Sequence, residues 1–506
     1  MKIRTTGDTA SKCALTLASE WISSCTSNHQ RCRKATESIL PTRVLDVKDN
    51  TVRLYASHGE EAVYVCLSHC WGPAQIITTK RDTIDKHKMG IPWSSLSTTF
   101  QDAITLVRRL SLRYIWIDSL CIVQDDDADW KEQAGQMAHI YENAYLTIAA
   151  TKSSKGSGGL FSKTPDFELV ETGSANHPSY HVFARKEIHH LPLYPWGSPD
   201  NFPLLTRGWV YQERLLSPRV LHFGPQELFW ECAENTTCEC NAINVGAYPE
   251  NKPKVAHSRA LAREPGAPQL AWRWRTMVSE YSGLELTRPS DRLPAFSGVA
   301  TQMMRYRRSK YLAGLWLDSI VDDLIWRTQA PGRPEEWRAP SWSWASVSST
   351  IAFADGVGMP LEAVYVSVVD VHCTTAPGSP AGVVSSGEIE AYGQVVSVTL
   401  VPITEPQTTD GTDINVERAG IRAQRFYPDV LFSTSKGPNN LHIQNTIHCM
   451  RMAANQQYEF SLALRLVDEV KMVYERVGLI HMENTSGPQD VSGWYDGVSK
   501  RNVKIV

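Results

Sequence analysis

Apolar and polar positions change period several times along the chain, and each change marks an element. Residues 15–32 carry apolar positions at helical spacing, and residues 40–47 alternate apolar with polar as a strand does. Residues 52–55 alternate likewise, with Asp49-Asn50 as the turn between the two strands, so an N-terminal hairpin is predicted. Residues 62–68 are an almost unbroken apolar run of strand length, the pattern of a strand covered on both faces in a parallel sheet. That run ends in His69-Cys70-Trp71-Gly72. Ser97 can cap a helix in which Phe100, Ala103, Ile104, Val107 and Leu110 recur at three- and four-residue spacing. Tyr114-Ile115-Trp116-Ile117 then gives a second buried strand, ending at Asp118. Strand, crossover helix and strand predict a right-handed βαβ unit, and a helix over about 128–143 with a strand over 145–150 extends it.

Beyond the Gly156-Ser157-Gly158-Gly159 loop, Pro165, Pro178, Pro192, Pro195, Pro199 and Pro203 predict irregular connection. Residues 219–223 and 228–232 flank Gly224-Pro225, which predicts a hairpin. Helical patterns cover about 268–282, 292–309 and 311–326. From Pro340 onward the strand period prevails, over 341–345, 364–371, 387–401 and 475–482, interrupted by a polar stretch at 404–440. The expected fold class is α/β, a parallel-sheet three-layer core with helical insertions and a β-rich C-terminal part. The expected parts are an N-terminal helix and hairpin (1–59), the α/β domain with its irregular extension (60–232), a helical region (233–338) and the β-rich region (339–506).

Composition narrows the function classes. Over 506 residues, 51 Lys+Arg against 54 Asp+Glu leave a formal net charge of -3, which lacks the positive field of a nucleic-acid binder. No apolar run is long enough to span a bilayer, and Lys2, Arg4, Asp8 and Lys12 interrupt the first residues, so neither a membrane segment nor a signal peptide is expected. A cytoplasmic protein follows. The eleven cysteines are scattered without a disulfide spacing, which makes reduced thiols the expectation.

The ends of two predicted parallel strands place Ser68, His69, Cys70 and Trp71 beside Asp118, Cys121, Gln124 and Asp125. Ligands of open α/β sheets bind at such carboxyl ends. His69 offers a general base, Asp118 an orienting carboxylate, and Cys70 or Cys121 a thiol nucleophile. The plainer alternative is that His69 and Asp118 bond each other and nearby backbone to fix two loops. Glu132 on the following helix is a further candidate carboxylate, or a solvated surface group. Asp125-Asp126-Asp127 and Asp129 suit helix capping better than a metal. Arg207 and Glu213 are expected to be buried and hydrogen-bonded, to each other as an internal clamp or to backbone, with catalysis or anion binding by Arg207 as the alternative. Cys25, His29 and Cys32 supply three zinc-type ligands on one helical face; a structural site wants four, so no metal is expected there. Cys232, Cys238 and Cys240 look like reduced thiols around a hairpin, and Trp342 and Trp344 like a core-facing strand.

Several of these motifs occur in order in one family. YVCLSHCWG at 64–72, IWIDSLCIVQDD at 115–126 and MAHIYENAYLTIA at 137–149 resemble the fungal heterokaryon-incompatibility (HET) domain. LTRGWVYQERLLSPRVLHFGPQELFWEC at 205–232, DRLPAFSGVA at 291–300, YLAGLW at 311–316, APSWSWASV at 339–347 and YERVGLI at 474–480 are also similar to segments of HET proteins. The resemblance implies a fungal protein whose relatives arrest growth and kill cells after fusion of unlike partners. It further implies a core like that of Toll/interleukin-1 receptor (TIR) domains and flavodoxins, with NAD as a candidate substrate, no certain cofactor, and Glu132 nearest the TIR carboxylate. The resemblance also implies a departure: many relatives carry Glu where this chain has Gln133. Expected partners are a small-molecule ligand or another incompatibility protein. Two other readings stay open: an enzyme of secondary metabolism using the His69, Cys70, Asp118 and Cys121 cleft, and a non-catalytic module that signals by assembly.

Overall fold

The computed structural model describes residues 5–32, 37–73, 76–164, 167–170, 181–184, 187–188, 190, 201–243, 252–353, 360–376, 381–402, 414–423, 425–431, 446–483 and 491–506. Most of the proline-bearing stretch before 200 and of the polar stretch 404–440 lies outside them. The chain divides into two compact units, Met1–Ala262 and Arg263–Val506.

The first unit is built on helix α1 (Lys12–Asn28) and a mixed sheet of eight strands: β1 (Arg43–Asp46), β2 (Arg53–Ala56), β3 (Tyr64–Ser68), β4 (Tyr114–Trp116), β5 (Leu146–Ala149), β6 (Arg219–Phe223), β7 (Leu228–Cys232) and β8 (Thr236–Cys238). Their order across the sheet is β8-β7-β6-β5-β3-β4-β1-β2. The four central strands β6, β5, β3 and β4 run parallel, with Cys66 opposite Trp116 and Ser68 opposite Ala149. Both flanks are antiparallel. The sheet is therefore mixed rather than wholly parallel, because the short connections of β1–β2, β6–β7 and β7–β8 can only close as hairpins. At the β6–β7 turn Gly224 is required: a Cβ there would lie 2.8 Å from the Glu227 carbonyl oxygen and against the Phe229 ring.

Helices fill the crossovers. Between β3 and β4 runs α2 (Thr98–Arg109), capped as expected by Ser97, whose Oγ accepts from the Phe100 amide at 3.4 Å. Its Phe100, Ala103, Ile104 and Val107 are fully buried, and burial of each large side chain contributes about 2 kcal/mol. Between β4 and β5 come the single turn α3 (Asp118–Cys121) and α4 (Asp127–Asn143). Asp126 caps α4 by accepting from the Ala128 and Asp129 amides. Helix α5 (Gly208–Leu216) leads into β6, and α6 (Pro253–Leu261) closes the unit. Every residue of β3 is buried, as its apolar run predicts.

The second unit opens with α7 (Pro268–Ser282) and α8 (Ser297–Arg307). The helix predicted over 311–326 is instead a hairpin, β9 (Tyr311–Leu312) with β10 (Leu315–Trp316), followed by a helix only at Ile320–Leu324. Ala313 and Gly314 at the turn have φ of 47° and 100°, outside the right-handed helical region. The Gly314 carbonyl accepts from both Trp274 Nε1 and Trp344 Nε1 at 2.9 Å, which ties the turn into an aromatic core. Trp342 and Trp344 are buried as expected, but residues 344–346 form a 3-10 turn rather than a strand, stabilised by Ser343 Oγ accepting from the Ala345 amide. The β-rich part is a sheet of ten described strands, almost all antiparallel, including Ser367–Thr375, Val384–Pro402 and Val473–Glu483.

Candidate functional site

Strands β3, β4 and β5 end side by side, and their carboxyl ends collect the polar groups of the first unit. Ser68, the last residue of β3, donates from Oγ to Glu213 Oε2 on α5 at 2.6 Å. Tyr141 of α4 donates from its hydroxyl to the Leu67 carbonyl at 3.3 Å, and the same hydroxyl favours the ionised form of Glu213. One residue beyond β3, His69 presents Nδ1 to Asp118 Oδ1 at 3.7 Å, an electrostatic contact longer than a hydrogen bond. Its Nε2 is buried without a partner, and its ring stands edge-on to Phe100 at 5.0 Å. Asp118 is held from both sides: Oδ2 accepts from Trp71 Nε1 at 2.8 Å and Oδ1 from the Ser119 amide at 2.7 Å. With 26% of its side chain exposed, against 1% for His69, Asp118 is the open side of the group.

Burial sets the proton positions. Glu213 is pushed up to about 7, mainly by desolvation and then by the Asp118 charge, against the lowering effect of its Ser68 bond. His69 is pulled below the usual histidine value by desolvation, with the Asp118 charge opposing and the Arg207 charge assisting. The site thus pairs a carboxyl that changes charge near neutrality with an imidazole kept neutral, arrangements typical of proton-transfer sites.

The family model of heterokaryon incompatibility protein (HET) matches residues 64–213, from the first residue of β3 to Glu213 itself. The chain carries a HET domain. No curated protein and no solved structure matches the chain.

Within the HET domain the structure brings Ser68, His69, Trp71, Asp118 and Glu213 together and gives the other expected residues different surroundings. Cys70 packs in an apolar cluster with Ala149, Leu204, Val210 and Val220. Cys121 is fully buried and its thiol is pushed up to about 12 by desolvation, which holds it protonated and unreactive near neutral pH. Gln124 spends its amide on the Asp118 and Ile122 carbonyls, and Asp125 accepts from the Arg81 amide at 2.8 Å. Asp129 pairs with Arg43 at 2.6 Å and accepts from the Val123 amide, so the acidic run is spent on caps and loop anchors. Glu132 is exposed on α4, whereas its neighbour Gln133 is buried and donates to Thr42 Oγ1 at 3.3 Å.

The expected Arg207–Glu213 clamp is not formed. Arg207 is only half-buried and reaches Glu213 through its field, without a hydrogen bond. The buried pairing falls one residue further on: Arg214 makes a two-pronged bond to Glu231 at 2.6 and 2.8 Å, and His222 joins Glu231 at 3.0 Å and Thr151 at 2.9 Å. Helical period explains the difference, since adjacent residues on α5 face different ways and only Glu213 turns toward Ser68.

Sequence reasoning missed the influence of Tyr141 on Glu213. It also missed a relation across more than two hundred residues: outside the matched segment, Cys232 at the end of β7 meets Cys25, His29 and Cys32, with ligand-type atoms all within 4.8 Å of one another. His190, Glu227, Cys238 and Cys240 form a second such group.

Proposed function

We propose that the protein is an incompatibility effector whose HET domain hydrolyses the nicotinamide–ribose bond of NAD at the carboxyl ends of β3, β4 and β5. The observation that carries this reading is Glu213, a carboxyl with a pKa raised to about 7, joined to Ser68 and set beside the charge of Asp118. In that reaction the N-glycosidic electron pair leaves with nicotinamide, Asp118 offsets the positive charge developing on the ribose, and Glu213 takes the proton of the attacking water. Strand order supports the reading. Numbered along the chain, the four parallel strands lie in the order second, first, third, fourth, and the chain reverses direction across the sheet beside β3, where doubly wound proteins bind nucleotides. Glu213 replaces the helix-borne Glu132 in this role, because Glu132 has no contact with Ser68, His69 or Asp118.

A second reading is favoured by one specific observation, the burial of Ser68, His69 and Glu213, each less than a tenth exposed. On that reading the network is a latch that fixes the loops of an assembly module. Induced expression in a fungal host separates the two. The catalytic reading expects growth arrest with a fall in cellular NAD, both lost in Glu213→Gln and Asp118→Asn. Arrest at constant NAD would contradict it and favour the assembly module.

A further inference from the structure

We propose that Cys25, His29, Cys32 and Cys232 form a structural zinc site that fastens the end of α1 to the end of β7. The four donors come from two segments about two hundred residues apart, and all their ligand atoms lie within 4.8 Å of one another. Zinc bound tetrahedrally with Zn–S distances of about 2.3 Å needs donors about 3.8 Å apart. His29 Nδ1 is 3.3 Å from Cys232 Sγ and 3.8 Å from Cys32 Sγ. The donor set is complete for a closed site: three sulfurs and one imidazole, with no position left for substrate. None of the three thiols is in a disulfide, and all three are buried.

Local structure explains how the ligands are placed. Cys25 lies in the last turn of α1, and His29 is the residue that ends the helix, its amide bonded to the Cys25 carbonyl. This spacing of four puts both side chains on one face, and Cys32 follows as the chain turns back. From the other side, β7 ends at Cys232. The same helix and strand are already in register through Trp21 and Trp230, whose rings lie 6.5 Å apart. Charge also agrees. Three thiolates and one imidazole around zinc leave one negative charge, and the buried Lys254 ammonium, held by the Arg214 and Leu215 carbonyls, feels Glu231 first and then Cys232 and Cys32.

The group at His190, Glu227, Cys238 and Cys240 is differently committed, because Glu227 already accepts from the Cys240 amide at 2.8 Å. It could nonetheless add to a bulk metal count. The test is therefore a difference. Full-length protein purified without chelator is measured for zinc per chain by elemental analysis, beside Cys232→Ser, Cys32→Ser, His29→Cys and the exposed Cys13→Ser. The proposal expects one equivalent fewer in Cys232→Ser and Cys32→Ser, and no change in His29→Cys, which keeps four zinc ligands, or in Cys13→Ser. Cobalt exchanged into the wild-type chain should show the absorption of tetrahedral thiolate coordination, weakened in Cys232→Ser. Wild-type protein with no zinc, or a zinc content unchanged in Cys232→Ser, overturns it. Should the serine variants fail to fold, a His29→Cys chain that binds no zinc overturns it equally.

Discussion

Glu213 is the residue on which the proposed chemistry turns. Its pKa is 4.5 in the unfolded chain and about 7 in the fold, so between these values the unfolded chain releases a proton that the native protein keeps. Its contribution to stability is therefore fully present below about pH 4.5 and is lost as pH rises through about 7, a loss of about 3 kcal/mol for a fully buried group. Glu213→Gln keeps an acceptor for Ser68 but cannot ionise. Urea unfolding at about pH 5 and about pH 8 should show the variant gaining on the wild type by roughly that amount at the higher pH. Parallel pH profiles would remove Glu213 as the titrating group. The residue was visible in the sequence only as half of a presumed clamp, because a single chain shows which residues share a helix face but not that Ser68 lies opposite.

Among the elements, α5 is the connector, sending Glu213 to the site and Arg214 to β7. Removing Arg214 takes from the buried Glu231 carboxylate its two-pronged partner and leaves it only His222 and the field of Lys254, a loss of about 3–5 kcal/mol. Arg214→Ala should thus lower the melting temperature sharply, and adding Glu231→Gln should restore part of it by removing the orphaned charge. Arg207→Ala, which deletes a half-exposed cation acting through its field alone, should change stability by less than about 1 kcal/mol. A larger effect of Arg207→Ala than of Arg214→Ala would reverse this assignment. Elements with an undivided period were legible from sequence: the run at β3, the Ser97-capped stripe of α2 and the alternation of β1 and β2 all fold as their patterns imply. The hairpin at residues 311–316 was not, since Tyr311, Leu312, Leu315 and Trp316 also fit helical spacing, and only the positive φ of Ala313 and Gly314 decides between the two.

For the whole molecule, the resemblance motifs that lie within residues 64–213 turn out to be the strands, loops and helices around one polar group at the carboxyl ends of β3, β4 and β5. Their order in the chain was legible, and so was their meeting at strand ends. The antiparallel flanks were less so, because hairpins and crossovers are told apart by connection length rather than by the strands themselves. Cys232 shows the same limit at its widest, for nothing near it in sequence announces Cys25, His29 or Cys32. Among the described residues no helix is long and apolar enough to cross a membrane. The central claim is that the HET domain is a hydrolase using Glu213. Purified full-length protein incubated with NAD should release nicotinamide with a rate that rises through about pH 7 as Glu213 ionises, and Glu213→Gln should release at least a hundredfold less while keeping the wild-type circular dichroism. Equal release by the two proteins, or none by either, would contradict the account.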